Sequence, residues 1–202
     1  MLRLARASPT DIFYDLGSGW GQNLIIALTE FNVKKAIGIE KDRERYQVSV
    51  ERLSKRAITP TRREVIRDDF DEVLAGRVKG VDPSEATIMF YGLSTDRLLL
   101  QKIQRCIRKG SRLIYYYNCL FPEILPDKAD PPFFMSIAPF RAPRSQYEWL
   151  SAVVRKTKSS FVRGKRPSLD ELWYELIHDY DVNRVRERIA DYEKRLKRTI
   201  GR

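Results

Sequence analysis

The chain has 202 residues, of which 43% are apolar and 32% charged, and a net charge of +11; this length supports one buried core, and the balance excludes a disordered or membrane-embedded protein. No segment approaches the roughly 18 consecutive apolar residues of a spanning helix, and Met1 to Pro9 lacks the apolar stretch of a secretory signal. Two cysteines, Cys106 and Cys119, and a single histidine, His178, exclude a Cys/His zinc site and a disulfide scaffold, so no metal and a cytoplasmic location are expected.

In chain order, the first element is an apolar strand at Ile12–Leu16, which opens through Gly17-Ser18-Gly19-Trp20-Gly21 into a helix over Gln22–Phe31. Glycines at alternate positions permit positive φ and leave no side chain where a ligand must approach. The helix N-terminus behind them presents free N–H groups and the positive end of its dipole, which favour a carboxylate or phosphate. The segment reads as a seat for a nucleotide-like ligand with an anionic end, although a glycine turn alone also fits a plain strand-to-helix connection. A second strand, Ala36–Ile39, ends in Glu40, about 20 residues beyond the glycines, where such folds place the acceptor for ribose hydroxyls. The helix Arg43–Arg56 sets Tyr46, Val50 and Leu53 on one face. A third strand, Glu64–Ile66, leads to Asp69-Phe70, a carboxylate suited to an adenine amino group beside a ring suited to the base, and then to a short helix over Phe70–Gly76.

A fourth strand at Thr87–Tyr91, a helix over Asp96–Arg108 stopped by Gly110, and a fifth strand at Arg112–Tyr117 complete the alternation. This is the signature of a parallel sheet with helices on both faces. Prolines 122, 126, 131, 132, 139 and 143 then forbid a regular helix, leaving a loop with an extended segment near Phe133–Ile137. Gln146–Val154 fits a strand, with Tyr147, Trp149 and Leu150 as candidates for burial. Ser168 with Glu171 forms a capping box, and Asp181 caps a second helix carrying the stripe Val182, Val185, Ile189, Tyr192 and Leu196. Between Val154 and Ser168, Arg155, Lys156, Lys158, Arg163, Lys165 and Arg166 occur without one acid, either as a contact for nucleic-acid phosphate or as a solvated loop.

The glycine spacing separates cofactors. A dinucleotide fingerprint has its third glycine at position 22, which is Gln here. With Asp15 opening the turn, the segment resembles the seven-strand S-adenosylmethionine-dependent methyltransferases. Asp15-Leu16-Gly17-Ser18-Gly19-Trp20-Gly21-Gln22, Gly38-Ile39-Glu40 and Arg67-Asp68-Asp69-Phe70 together resemble the non-SET histone-lysine methyltransferases of the telomeric-silencing type and their small archaeal relatives. The resemblance covers about Asp11 to Pro122. It implies an α/β, doubly wound, mainly parallel seven-strand sheet of the Rossmann-like methyltransferase kind with a C-terminal helical extension. Residues 1–155 would be the cofactor-binding domain and 156–202 the basic helical extension packed on it.

The resemblance also implies roles. Asp15, Gly17, Ser18, Gly19, Gly21 and Gln22 would form the cofactor turn, with Gly17, Gly19 and Gln22 at the methionine end; Glu40 would chelate the ribose, and Asp69 and Phe70 would hold the adenine of S-adenosyl-L-methionine. At the fourth strand Ile88-Met89-Phe90-Tyr91-Gly92-Leu93-Ser94-Thr95 resembles the archaeal relatives rather than the asparagine pair of the eukaryotic enzymes. Asn-Pro-Pro-Tyr, Asp-Pro-Pro-Tyr and Pro-Cys, the marks of amide-nitrogen, exocyclic-nitrogen and 5-methylcytosine enzymes, are absent. Tyr91, Tyr117 and Asn118, with Tyr116, are the candidates for the channel in which an amine is methylated, while Phe90 and Tyr115 face the core. The function expected is protein-lysine N-methylation of basic or chromatin-like proteins. RNA methylation, or a low-turnover cofactor-binding module on nucleic acid, stands as the alternative. A monomer or weak dimer is expected. Relatives of this type carry N-terminal helices over the cofactor, whereas eleven residues precede the first strand here, so the chain is expected to be minimal or to lack its start.

Overall fold

Five parallel strands form the spine of the molecule: β1 (Ile12–Leu16), β2 (Lys35–Ile39), β3 (Arg63–Ile66), β4 (Ile88–Tyr91) and β5 (Arg112–Tyr116). Two more, β6 (Lys128–Asp130) and β7 (Phe133–Ile137), extend the sheet, whose order is β3-β2-β1-β4-β5-β7-β6. β7 runs antiparallel to β5, with Ile114 opposite Met135 and Tyr115 opposite Phe134. These relationships come from a computed structural model, which describes residues 1–92, 97–116, 123–130 and 133–156.

The connecting helices are α1 (Gln22–Thr29), α2 (Arg43–Ser54), α3 (Phe70–Leu74) and α4 (Arg97–Cys106). Right-handed crossovers send α1 and α2 to one face, as the chain steps from β1 out to β3, and α3 and α4 to the other, as it returns to β4 and β5. On the first face Phe13, Ala36, Ile88, Ile114 and Met135 form a buried layer with Leu24, Ile25, Ala27 and Leu28 of α1. On the second face Tyr14, Leu16, Ile37, Ile39, Met89, Leu113 and Tyr115 are equally buried. Each such side chain contributes about 1.5–3 kcal/mol relative to exposure, which is why central strands read as continuous apolar runs.

A polar clasp ties the amino ends of the strands together. Thr87 Oγ1 donates to Asp11 Oδ1 at 2.7 Å and accepts the Ile12 N–H at 2.9 Å, and Ser8 N–H donates to Asp11 Oδ2 at 2.8 Å. Arg112, the first residue of β5, donates to the same Asp11 carboxylate and to the Ala5 carbonyl. The sheet thus begins in register at β1, β4 and β5.

Residues 1–143 form one compact unit and residues from 144 onward a second. The described part of the second is a helix, α5 (Gln146–Lys156), where the sequence suggested a strand over Gln146–Val154. Ser145 Oγ accepts the Glu148 N–H at 3.1 Å, a side-chain cap that starts a helix, and Glu148 Oε2 reaches back to accept the Arg144 N–H at 2.5 Å. Trp149, Leu150 and Val153 are then buried at helical spacing. The loop expected over Asn118–Pro143 also contains more order than anticipated: β7 spans the extended segment as expected, and β6 pairs with it through Lys128, Ala129 and Asp130. On α2 the buried positions are Ser49 and Leu53, whereas Val50 is exposed and Tyr46 half-buried. The boundary expected at residues 155 and 156 falls inside α5, and the helices expected beyond it lie outside the described residues.

Candidate functional site

All five parallel strands end at one edge of the sheet, with Leu16, Ile39 and Tyr91 in register and Tyr115 beside Tyr91. The turn after β1 is fixed there by the end of β2: the Ile39 carbonyl accepts the N–H groups of both Gly17 and Ser18 at 2.9 Å. Gly17, Gly19 and Gly21 have φ of 83°, 53° and 73°, the left-handed region that favours glycine. Gly19 N–H donates to Glu40 Oε2 at 2.8 Å, while Glu40 Oε1 accepts the Asp42 N–H at 2.8 Å. One buried carboxylate therefore binds the middle of the turn and the start of the connection to α2. Gly21 is the N-cap of α1 and offers no side-chain acceptor, so the positive end of this helix is left without a side-chain cap.

Asp15 ends this face of β1, only 1% exposed, with Asn23 Nδ2 donating to its Oδ2 at 3.2 Å. Burial pushes its carboxyl up to about 7; the Asn23 bond opposes the rise and the Glu40 charge adds to it. Gly38, its partner in register, lies under the turn: a Cβ there would stand 2.6 Å from Leu24 Cδ1 and 2.6 Å from Ser18 Oγ. Ser18 Oγ is itself buried without a hydrogen-bond partner. By contrast, a Cβ on Gly19 would meet no atom within 4 Å, so open space lies above the turn.

At the end of β3, Asp69 caps α3 by accepting the Asp71 N–H at 3.0 Å through Oδ1, and its Oδ2 lies 3.6 Å from Lys41 Nζ. The half-buried Phe70 ring meets buried Tyr91 edge-on, with centroids 5.8 Å apart. Glu40 N–H donates to the Ile66 carbonyl at 3.0 Å, which joins the ends of β2 and β3. Tyr115 faces the core as expected: it stacks on Phe134 at 6.1 Å, shares a 3.1 Å hydrogen bond with Ser136, and burial raises its phenol pKa. Tyr116 is half-buried against Phe133. Tyr117 and Asn118 lie outside the described residues, as do Lys158, Arg163, Lys165 and Arg166; Lys156 is exposed on α5.

The residues present fit the ligand that the sequence implies. A backbone turn with open space above it, a helix N-terminus without a side-chain cap, an orphaned buried hydroxyl and two acidic strand ends suit a nucleoside carrying a small zwitterion. Sequence reasoning missed three residues that shape this seat, Asn23, Ser49 and Arg52, and named Gly38 only within the Gly38-Ile39-Glu40 motif. Gly38 was legible as a glycine inside an apolar strand. Asn23, Ser49 and Arg52 carry no apolar signal and become visible only where α1 and α2 meet the turn. Cys106 is half-buried, with its thiol pushed up to about 11 by burial, and takes no part in the site. A separate cavity of about 230 Å³, lined by Tyr14, Lys35, Glu64, Asp82 and Glu85 among others, includes none of these residues. No group of His, Cys, Asp and Glu among the described residues is placed to hold a metal, and no described helix is long and apolar enough to cross a membrane.

Comparison with known proteins places this architecture. A solved RNA methyltransferase from Salinibacter ruber, in complex with S-adenosyl-L-homocysteine, superimposes with a TM-score of 0.61 at 22% identity, covering 72% of this chain and 92% of that one. The chain has the Rossmann-like methyltransferase fold. Residues 1–57 match the family model described as histone methylation protein DOT1. A curated protein-lysine N-methyltransferase of Saccharolobus islandicus (strain REY15A) is 35% identical over 116 residues, which is 56% of this chain and 66% of that relative. The chain thus spans just under two thirds of the length of this relative.

Proposed function

We propose that this chain is an S-adenosylmethionine-dependent protein-lysine N-methyltransferase. The observation that carries the reading is the turn itself, where Gly19 and Glu40 are joined at 2.8 Å within residues 1–57, the segment that matches the histone methylation protein DOT1 model; the 35% identity over 116 residues to a protein-lysine N-methyltransferase supports it. In this reading the turn and the start of α1 hold the methionine end of the cofactor, Glu40 takes the ribose hydroxyls with its remaining lone pairs, and Asp69 and Phe70 hold the adenine. The cofactor supplies a methyl group made electrophilic by its sulfonium.

What the protein must add is a neutral amine in line with that methyl. A lysine side chain titrates at about 10.4, so deprotonating it at pH 7 costs about 4–5 kcal/mol. A desolvated aromatic edge such as that formed by Tyr91 and Phe70 disfavours the ammonium and reduces this cost. That edge would hold the amine in its neutral form, its proton passed to solvent, with the lone pair turned towards the methyl group the bound cofactor would supply.

The net charge of +11 favours a second reading, methylation of RNA, because it does not attract a basic protein. It accords with methyl transfer to lysine if enzyme and substrate meet on a nucleic acid, through the basic segment from Arg155 to Arg166. Incubating the chain with methyl-labelled S-adenosylmethionine and a cell extract, then dividing the product between protease and ribonuclease, separates the readings. Label released by protease and recovered on lysine is expected; label released by ribonuclease alone would replace the lysine reading.

A further inference from the structure

The side of the cofactor turn that faces α2 is held by one residue with no assigned role. Arg52 Nη1 donates to the Trp20 carbonyl at 2.8 Å, and Arg52 Nη2 donates to Gln22 Oε1 at 2.5 Å. One guanidinium therefore grips the chain on both sides of Gly21. Ser49, one helical turn earlier on α2, reaches the same place: a Cβ on Gly21 would stand 2.3 Å from Ser49 Oγ. Ser49 is fully buried and its hydroxyl has no hydrogen-bond partner. Helix α2 is thus fitted directly against the turn, and glycine at 21 is needed for that approach as well as for its φ of 73°.

The chemistry of this grip has a direction. A guanidinium carries only donors, so the amide of Gln22 must turn its oxygen towards Arg52. Its NH₂ group is then directed away, as a pair of donors at the first residue of α1. Among the described residues no carboxylate lies within ion-pair distance of Arg52, so no described side chain neutralises its positive charge. Donors, a cation and an uncapped helix N-terminus all lie at the start of α1, and together they suit a carboxylate.

We infer that Arg52 is a positioning residue that fixes the Gln22 amide as a donor and so makes the turn selective for ligands bearing the amino-acid carboxylate. The inference rests on the proposed S-adenosylmethionine site. It makes Arg52 act through Gln22 and the Trp20 carbonyl, as a determinant of which part of the ligand is read.

Two probes that differ in the amino-acid moiety test it: S-adenosylhomocysteine, which carries the carboxylate, and 5′-methylthioadenosine, which lacks it. Calorimetric titration of Arg52→Met should show S-adenosylhomocysteine binding weakened roughly tenfold, the cost of about one charge-assisted hydrogen bond, with 5′-methylthioadenosine binding unchanged. Arg52→Lys, which keeps the charge but not the fork, should lose part of the same affinity. Gln22→Ala in the Arg52→Met background should add little, because both changes remove one device. Equal losses on both probes in Arg52→Met and Arg52→Lys, or no loss on either, would overturn the inference. Glu40→Ala keeps this test distinct from its foundation, since it should weaken both probes. If the unaltered chain binds neither probe, the S-adenosylmethionine site itself is refuted, and the role of Arg52 with it.

Discussion

Glu40, the residue that follows β2, accepts the N–H of Gly19 at 2.8 Å with one oxygen and the N–H of Asp42 at 2.8 Å with the other. A single carboxylate, 6% exposed, therefore fixes both the turn after β1 and the start of the connection to α2. Hydrogen bonds to a charged group contribute about 1.5–3 kcal/mol each. Glu40→Ala should lower stability by about 3–6 kcal/mol, and it should strip hydrogen-exchange protection from the Gly19 and Asp42 amides while β1 and β4 stay protected. Unaltered exchange at Gly19 would show that the turn is held by other means.

Asp15 makes the site pH-sensitive. Its carboxyl titrates at about 7 in the folded chain against 3.8 ordinarily. Between those values the folded state keeps a proton that the unfolded chain has lost. Through this group, stability falls as pH rises from about 4 to 7, by an amount on the order of 4 kcal/mol, and then levels off. Denaturation across that range should show the slope in the parent and lose it in Asp15→Asn. A cationic ligand above the turn draws Asp15 into its ionised form. Binding of S-adenosylmethionine at pH 6 should therefore release protons, measurable in buffers of different ionisation heat, and Asp15→Asn should not.

Asp11 behaves in the opposite sense. Burial alone would raise its pKa, but hydrogen bonds from Thr87 and Ser8 and the Arg112 charge together hold the carboxyl below its ordinary value. The stability it contributes is present above pH 3.8 and is lost as pH falls through the lower folded value. Breaking a buried pair costs about 3–5 kcal/mol. Asp11→Ala should lower the melting temperature strongly at pH 7 without changing ligand affinity in the residual folded protein.

Gly38→Ala tests the floor of the turn. Its Cβ would lie 2.8 Å from Ser18 Cβ as well as close to Leu24, and the Ser18 N–H is bound to the Ile39 carbonyl. Overpacking of this kind costs about 1–3 kcal/mol. We expect that loss in thermal denaturation, together with weaker binding of S-adenosylhomocysteine, because the turn must shift to make room.

The sheet was legible where burial dictates sequence. β1 matched its expected limits because an apolar run bounded by Asp11 and the glycines leaves little freedom, and β2, β3 and β4 differ by one residue at their starts. β6 was not legible: Lys128-Ala129-Asp130 is short and polar, and only its pairing with β7 makes it a strand. The strand suggested at Gln146 failed because an aromatic-rich segment outweighed the Ser145 and Glu148 cap, which was the local evidence for α5. At the site, residues whose type declares their chemistry, such as Glu40 and Asp15, were found. Ser49 and Arg52 were not, since their roles arise from α2 lying against Gly21.

On the proposed function, the turn joined to Glu40 holds S-adenosylmethionine. Titrating S-adenosylhomocysteine into the parent chain and into Glu40→Ala by calorimetry tests it most directly. Saturable one-to-one binding in the parent, weakened at least a hundredfold in Glu40→Ala by loss of the ribose acceptor and the turn's anchor, is the predicted result. Equal affinity in both proteins, or binding in neither, would contradict it.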